Sequence, residues 1–365
     1  MTQDNNRPQN RANRRTFLKT VGAGIGGLTI PSVVGAASSE DLVEIVHTRD
    51  VHDNPVKVRK ISKERYRRIQ TFKEITPQSI GKQGLVTGFR LVGEGDDLRI
   101  IAQIPKSAST VDPSSVDTEE YNGVPIQYER ADTEKREKCR EGTHYDTIEG
   151  GIEVGVKDSR WLRNESRGTC SFVAWNANPD NPFKCAVTAA HIVENRADGD
   201  LYQPRPSDSN SRVIGSFYEL SPSDVMDGAK YDLSESSNPL ETVDSQQEDI
   251  TGYWTFEGIT DQTSQGYTIP CTFSGASTCS QYYEADHASK SMLLDYQVNF
   301  DRAVTQSGDS GGPFVDGDGK LLSILTGEME YDKDGDNEVE LFDFGPAAGE
   351  LLNYINVVLG DPSNL

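Results

Sequence analysis

One serine set among glycines, in Gly308-Asp309-Ser310-Gly311-Gly312-Pro313, and the position of the histidines relative to it constrain this 365-residue chain most. Small neighbours let a carbonyl approach a serine hydroxyl, and glycine lets the backbone turn its N–H groups toward a developing oxyanion. Such a serine also fits the nucleophile elbow of α/β-hydrolases, whose base follows the serine in the chain. Here the last histidine is His287, so none follows Ser310. Thr188-Ala189-Ala190-His191 stands 119 residues upstream instead. The order histidine, acid, serine is one of three chain orders that build the same nucleophile, base and orienting acid. The acid is then sought between His191 and Ser310. Asp232, in Tyr231-Asp232-Leu233-Ser234, is the first choice because it follows the strand-like run 213–218. Asp249 ranks second, and Asp224 and Asp227, in polar, turn-like text, are expected to be solvated.

Thr188–His191 together with Gly308–Pro313 resembles the chymotrypsin-fold serine peptidases, and the pattern is similar to their streptogrisin-like bacterial branch. Looser likenesses support it. Ile148-Glu149-Gly150-Gly151 resembles the opening of a mature peptidase domain, and Ser274-Gly275-Ala276-Ser277-Thr278 resembles a turn of the bacterial branch. Phe344-Gly345-Pro346 and the run 351–355 are similar to its C-terminal segment. The segments 176–183 and 332–340 are longer than a minimal member needs. The resemblance implies attack by Ser310, proton transfer by His191, orientation by Asp232, and an oxyanion hole from the N–H groups of Gly308 and Ser310. It also implies that Thr326, Gly327 and Glu328 pair with the substrate backbone, where Glu328 replaces a more usual small residue. Val304, six before the serine, falls at the expected base of the primary pocket. It speaks against a preference for Lys or Arg and for an apolar or small residue.

Charge divides the chain. Residues 1–145 hold 23 Lys/Arg and 20 Asp/Glu, whereas residues 146–365 hold 13 and 38. So acidic a second part excludes nucleic acid as a natural partner. Its scattered acids suit the solvated surface of a salt-adapted protein. Asn13-Arg14-Arg15-Thr16-Phe17-Leu18-Lys19 resembles a twin-arginine export signal, ahead of the weakly apolar stretch 21–34 and the small residues 34–37. That stretch is too short and interrupted for a stable membrane span, which needs about 20 apolar residues. Residues 1–37 are therefore expected to be a signal peptide addressed to the export machinery, and the product to be secreted or held at the cell surface.

Export permits disulfides. Among five cysteines, Cys170 and Cys185 flank an expected hairpin before His191, Cys271 and Cys279 bracket the Ser-Gly turn, and Cys139 is left over. Asp332, Asp334 and Asp336 lie in an oxygen-rich stretch that is a minority candidate for calcium, without the complete EF-hand pattern. No other cofactor is expected. Residues 38–147 mix a helical stretch, 58–73, with strand-like runs at 84–92 and 98–104. They read as a small α/β pro-region that blocks its own cleft, or as a permanent accessory domain. From 148 to 365 short apolar runs alternate with Gly, Asn, Asp and Ser clusters. The expected fold is all-β: two packed antiparallel six-stranded β-barrels, with a C-terminal helix over 346–359. The expected product is an exported serine endopeptidase made as a proenzyme, cut near Thr147–Ile148, that acts on proteins or peptides. A catalytically silent binding protein and a serine esterase on the same fold are the alternatives.

Overall fold

Short strands that turn back on themselves dominate the second half of the chain, as its alternation of apolar runs and turn residues predicts. The structure is a computed structural model. It describes residues 42–362 apart from 77–78, 81–85, 87, 94, 106–118, 133–144, 146, 160–164, 197, 222–224, 235–238, 244–247, 292–293 and 332–339. The export signal, Asp224, Cys139 and the candidate calcium residues Asp332, Asp334 and Asp336 therefore lie outside the described residues.

The architecture is all-β, with two large sheets of eight and fourteen strands in place of the expected six and six. An eight-stranded antiparallel sheet takes Val357–Val358, Phe172–Asn176, Lys184–Thr188, Ala229–Asp232, Arg212–Leu220, Asp200–Gln203, Glu153–Lys157 and Glu165–Thr169 in spatial order. Its inner face buries Val154, Val156, Val173, Ala186, Leu201, Ile214 and Tyr231. The second sheet, of fourteen strands, carries Ile269–Gly275, Cys279–Ser291, Gln297–Phe300, Pro313–Asp316, Lys320–Ile324, Gly327–Tyr331 and Glu340–Pro346. Phe273, Tyr283, Phe300 and Phe314 stack in its core, with ring centroids of Phe300 and Phe314 3.6 Å apart. A third cluster joins Phe172 and Val187 of the first sheet to Leu321, Ile324 and Leu351 in the seam.

The C-terminal helix is shorter than expected, Ala348–Tyr354. Asn356 adopts φ +55°, which stops the helix, and Val357–Val358 then pairs with Trp175 and Asn176. Two further helices of at least two turns occur among the described residues. Phe256–Thr263 is capped by the Thr255 hydroxyl, which accepts from the Gly258 N–H. Lys63–Glu74 is capped by Ser62 in the same way. The stretch 58–73 is thus only partly helical, because Pro55–Ser62 pairs with Leu42–Asp50 before the Ser62 cap starts the helix.

The N-terminal region has the mixed strand and helix content expected of it, and its strands continue the fourteen-stranded sheet. Leu42–Asp50 pairs with Gly252–Trp254, Gly88–Val92 with Cys279–Ser291, and Val124–Asp132 with Gly327–Tyr331. Ile45, Ile61, Ile69, Phe72 and Phe89 share one core with Trp254, Phe256 and Phe273. A buried charge cluster crosses the same boundary. Asp261, fully buried, accepts from Arg65 Nε at 2.7 Å, from Arg59 Nη1 at 2.9 Å, and lies 2.9 Å from His47 Nε2. Burial alone would raise the Asp261 carboxyl, but hydrogen bonds from His47 and Arg65 and the charges of Arg65 and Arg59 hold it at about 2.

Candidate active site

Two antiparallel strands set the site geometry. Lys184–Thr188 pairs with Ala229–Asp232 in the register Thr188↔Ala229, Ala186↔Tyr231 and Cys185↔Asp232. His191 leaves the end of the first strand on a one-turn helix, Ala190–Val193. The residues just before Ala229 therefore face it, and Asp227 is the acid there. Asp227 is fully buried and accepts from the His191 backbone N–H at 2.9 Å; its other oxygen stands 2.8 Å from His191 Nδ1.

Asp232 is not the partner of His191. It sits three residues beyond Ala229 along that strand, about 10 Å at ~3.4 Å per residue. There it faces Cys185 and Ser216 and accepts from the Ser234 N–H at 2.8 Å. The expectation failed because it placed the acid after a strand. Antiparallel pairing requires it at the start of the strand beside Thr188, and Asp227-Gly228, a turn before an apolar alternation, is the sequence signal for that place. Asp249 pairs with Thr242 in a separate three-stranded sheet.

Ser310 shares one cavity of about 390 Å³ with His191, Gly308, Thr305, Thr326 and Glu328. The loop around it is held on every side. Gly312 N–H donates to the Asp309 carbonyl at 2.8 Å, Gly311 N–H to Leu325, and Thr169 N–H to the Ser310 carbonyl. Gly311, at φ +90°, lies where a Cβ would meet the Thr169 carbonyl at 2.4 Å. Gly308, at φ +110°, lies where a Cβ would meet Ser277 Oγ at 2.5 Å. Both positions thus require glycine for conformation and for space. Its neighbour Asp309 is fully buried; burial pushes the carboxyl up, and hydrogen bonds from Thr278, Ser277 and Gln306 oppose that rise.

Thr326, Gly327 and Glu328 all line the cavity. Gly327–Tyr331 pairs with Glu340–Pro346 on one side, and with Val124–Asp132 only at Glu330 and Tyr331 on the other. Val304 is not among the lining residues. It packs against the aromatic core, and its N–H faces Tyr283 Oη at 3.3 Å and Asp343 Oδ2 at 3.2 Å. Asp343, which the sequence reading missed, is fully buried behind this wall and accepts from the Tyr283 and Thr305 hydroxyls. Burial pushes its carboxyl up to about 6 against those hydrogen bonds. Arg167, also unforeseen, lines the opposite side with its guanidinium 3.5 Å from the Ser307 carbonyl.

Neither expected disulfide forms. Cys170, Cys185 and Cys271 are free, buried thiols, while Cys279 is disulfide-bonded. Cys185 faces Ala174, four residues beyond Cys170, and Cys271 faces Tyr283, four residues beyond Cys279. Four strand residues span ~13 Å, whereas bridged Cα atoms lie within about 7 Å. Desolvation pushes the Cys170 and Cys185 thiols up to about 12. Among the described residues no cluster of His, Cys, Asp or Glu could hold a metal ion.

No family model matches the chain, and no curated protein does. Solved structures of serine proteases resemble it at low identity. One is a glutamic acid-specific serine protease that uses a histidine triad in substrate binding: TM-score 0.41, 17% identity, 58% of this chain and 99% of that one. Another is the Rv3671c protease of M. tuberculosis in an inactive form: TM-score 0.33, 15% identity, 56% of this chain and 86% of that one. A third is the HtrA-type protease AlgW with a tripeptide: TM-score 0.34, 14% identity, 56% of this chain and 59% of that one.

Proposed function

We propose that the chain is a serine endopeptidase working through Ser310, His191 and Asp227. The observation that carries this reading is the buried Asp227 carboxylate against His191 Nδ1, with His191 and Ser310 lining one cavity. Asp227 fixes the imidazole with Nδ1–H toward itself, which leaves Nε2 as the base for the Ser310 hydroxyl. Ser310 Oγ attacks the scissile carbonyl as its proton passes to His191. The carbonyl oxygen becomes an oxyanion held by the N–H groups of Gly308 and Ser310. The imidazolium then protonates the leaving amine, an acyl-enzyme remains, and water releases it by the reverse proton path. The edge Gly327–Met329 takes the substrate backbone by strand addition. No metal or organic cofactor enters these steps.

The same proposal includes export by the twin-arginine route and a surface adapted to salt. Residues 42–132 are read as a retained accessory part, because their sheet pairing and core would have to be torn open to release them. The test is turnover by the full chain, in high salt, of an amide and an ester with the same acyl group. The reading expects both to be hydrolysed and both activities to vanish in Ser310→Ala. Ester turnover alone would instead identify an esterase, and Ser310-independent turnover would remove the reading.

A further inference from the structure

The Asp309 carboxyl is buried between the nucleophile and the loop that forms the oxyanion hole, and its hydrogen bonds all come from within the chain. Oδ1 accepts from the Ser277 N–H at 2.7 Å and the Thr278 N–H at 3.0 Å. Oδ2 accepts from Thr278 Oγ1 at 2.8 Å and the Gln306 N–H at 2.8 Å. An ionised carboxylate has about four acceptor sites, so none is left over. The same turn grips the loop at two more points. Ser277 Oγ donates to the Ser307 carbonyl at 2.9 Å. The Ala276 N–H donates to Thr169 Oγ1 at 3.0 Å, which in turn donates to the Gly308 carbonyl at 2.9 Å.

We propose that the hairpin turn 275–279 is the positioning device of the oxyanion loop, with Thr278 as its principal positioning residue, and that it works in the uncut chain. The inference rests on Ser310 being the nucleophile. Three consecutive residues, Ala276, Ser277 and Thr278, tie directly or through Thr169 to Gly308, Ser307 and Asp309. The fit is close. A Cβ on Gly275 would meet Asp309 Oδ1 at 2.3 Å. At its far end the turn is fixed by Cys279, which is disulfide-bonded and held at φ +61°. An amino terminus made by a cut at 147–148 finds no open acceptor on Asp309. Ile148 itself is fully buried in Ile148–Gly150, paired with Pro239–Val243. The loop is therefore ordered without that cut.

Kinetics of the full, uncut chain test this. Thr278→Val removes the hydroxyl and keeps the shape. The expected result is a kcat about 10- to 100-fold lower on a peptide anilide, below the loss seen when an oxyanion donor itself is removed. KM should stay within about twofold, and Thr278→Ser should restore kcat. Should Thr278→Val fold poorly, Ser277→Ala, which keeps both N–H donors to Asp309, is expected to lower kcat by a smaller factor with KM unchanged. Unchanged kcat in these variants overturns the inference, as does a wild-type chain that is inactive uncut and active once cut at 147–148. If neither form of the wild-type chain reacts at Ser310 with a fluorophosphonate, the nucleophile assignment fails rather than the turn.

Discussion

Asp227 and Asp232 are five residues apart, and the architecture gives them opposite roles. One orients His191, and the other ends a strand facing Cys185. Asp227→Asn is expected to lower kcat on the order of 10³- to 10⁴-fold, as loss of the orienting acid does elsewhere. Asp232→Asn should stay within about twofold. Steady-state kinetics of the two variants side by side decide it, and the reverse ranking would restore Asp232. Asp343 offers a pH signature. Its folded value of about 6 lies above the usual 3.8. The protein is thus favoured, relative to the unfolded chain, while the group is protonated. That contribution is fully present below about pH 4 and is lost as pH rises through about 6, for a total of about 3 kcal/mol. Asp343→Asn should flatten this fall in melting temperature between pH 4 and 6. An unchanged slope would show that the group does not titrate in that window.

At the scale of elements, chain order and glycine placement made much of the site legible. Ser310, His191 and the need for glycine at 308 and 311 follow from a turn that must show its N–H groups, and such a requirement is written locally. The acid, the cysteines and the pocket wall were not legible in the same way. Each depends on which residues stand opposite across two strands, and a slip of four residues separates each expected cysteine pair. Val304 was misplaced because the loop turns it toward the aromatic core, where Asp343 binds its N–H. The helix 256–263 escaped because its Thr255 cap lies amid strands. The helix itself carries Asp261, whose buried cluster with His47 and Arg65 ties it to Leu42–Asp50 and Lys63–Glu74. Breaking a buried ion cluster by removing one partner typically costs about 3–5 kcal/mol. Asp261→Ala should therefore lower stability in urea unfolding by an amount of that order, because Arg65 would be left buried. A loss below about 1 kcal/mol would mean that the cluster contributes little.

For the molecule as a whole, the acidic charge sits almost entirely in residues 146–365, and the described strands between residues 42 and 132 pair into the fourteen-stranded sheet that this acidic part builds. Repulsion among scattered carboxylates is screened over about 10 Å at 0.1 M salt and about 3 Å at 1 M. The melting temperature should therefore rise with sodium chloride over that range, and a flat or falling curve would dispose of a salt-adapted surface. The N-terminal part reads as mixed α/β text in isolation, and its membership of the fourteen-stranded sheet rests on long-range pairing that no local pattern announces. The central claim is narrower: one serine, activated by His191 and Asp227, does the chemistry. Its most direct test is the rate and site of fluorophosphonate labelling of the full chain. Labelling is predicted at Ser310 alone, absent in Ser310→Ala, slowed on the order of 10³-fold in Asp227→Asn, and unaffected in Asp232→Asn. Labelling elsewhere, or equal rates in Asp227→Asn and the wild type, would contradict it.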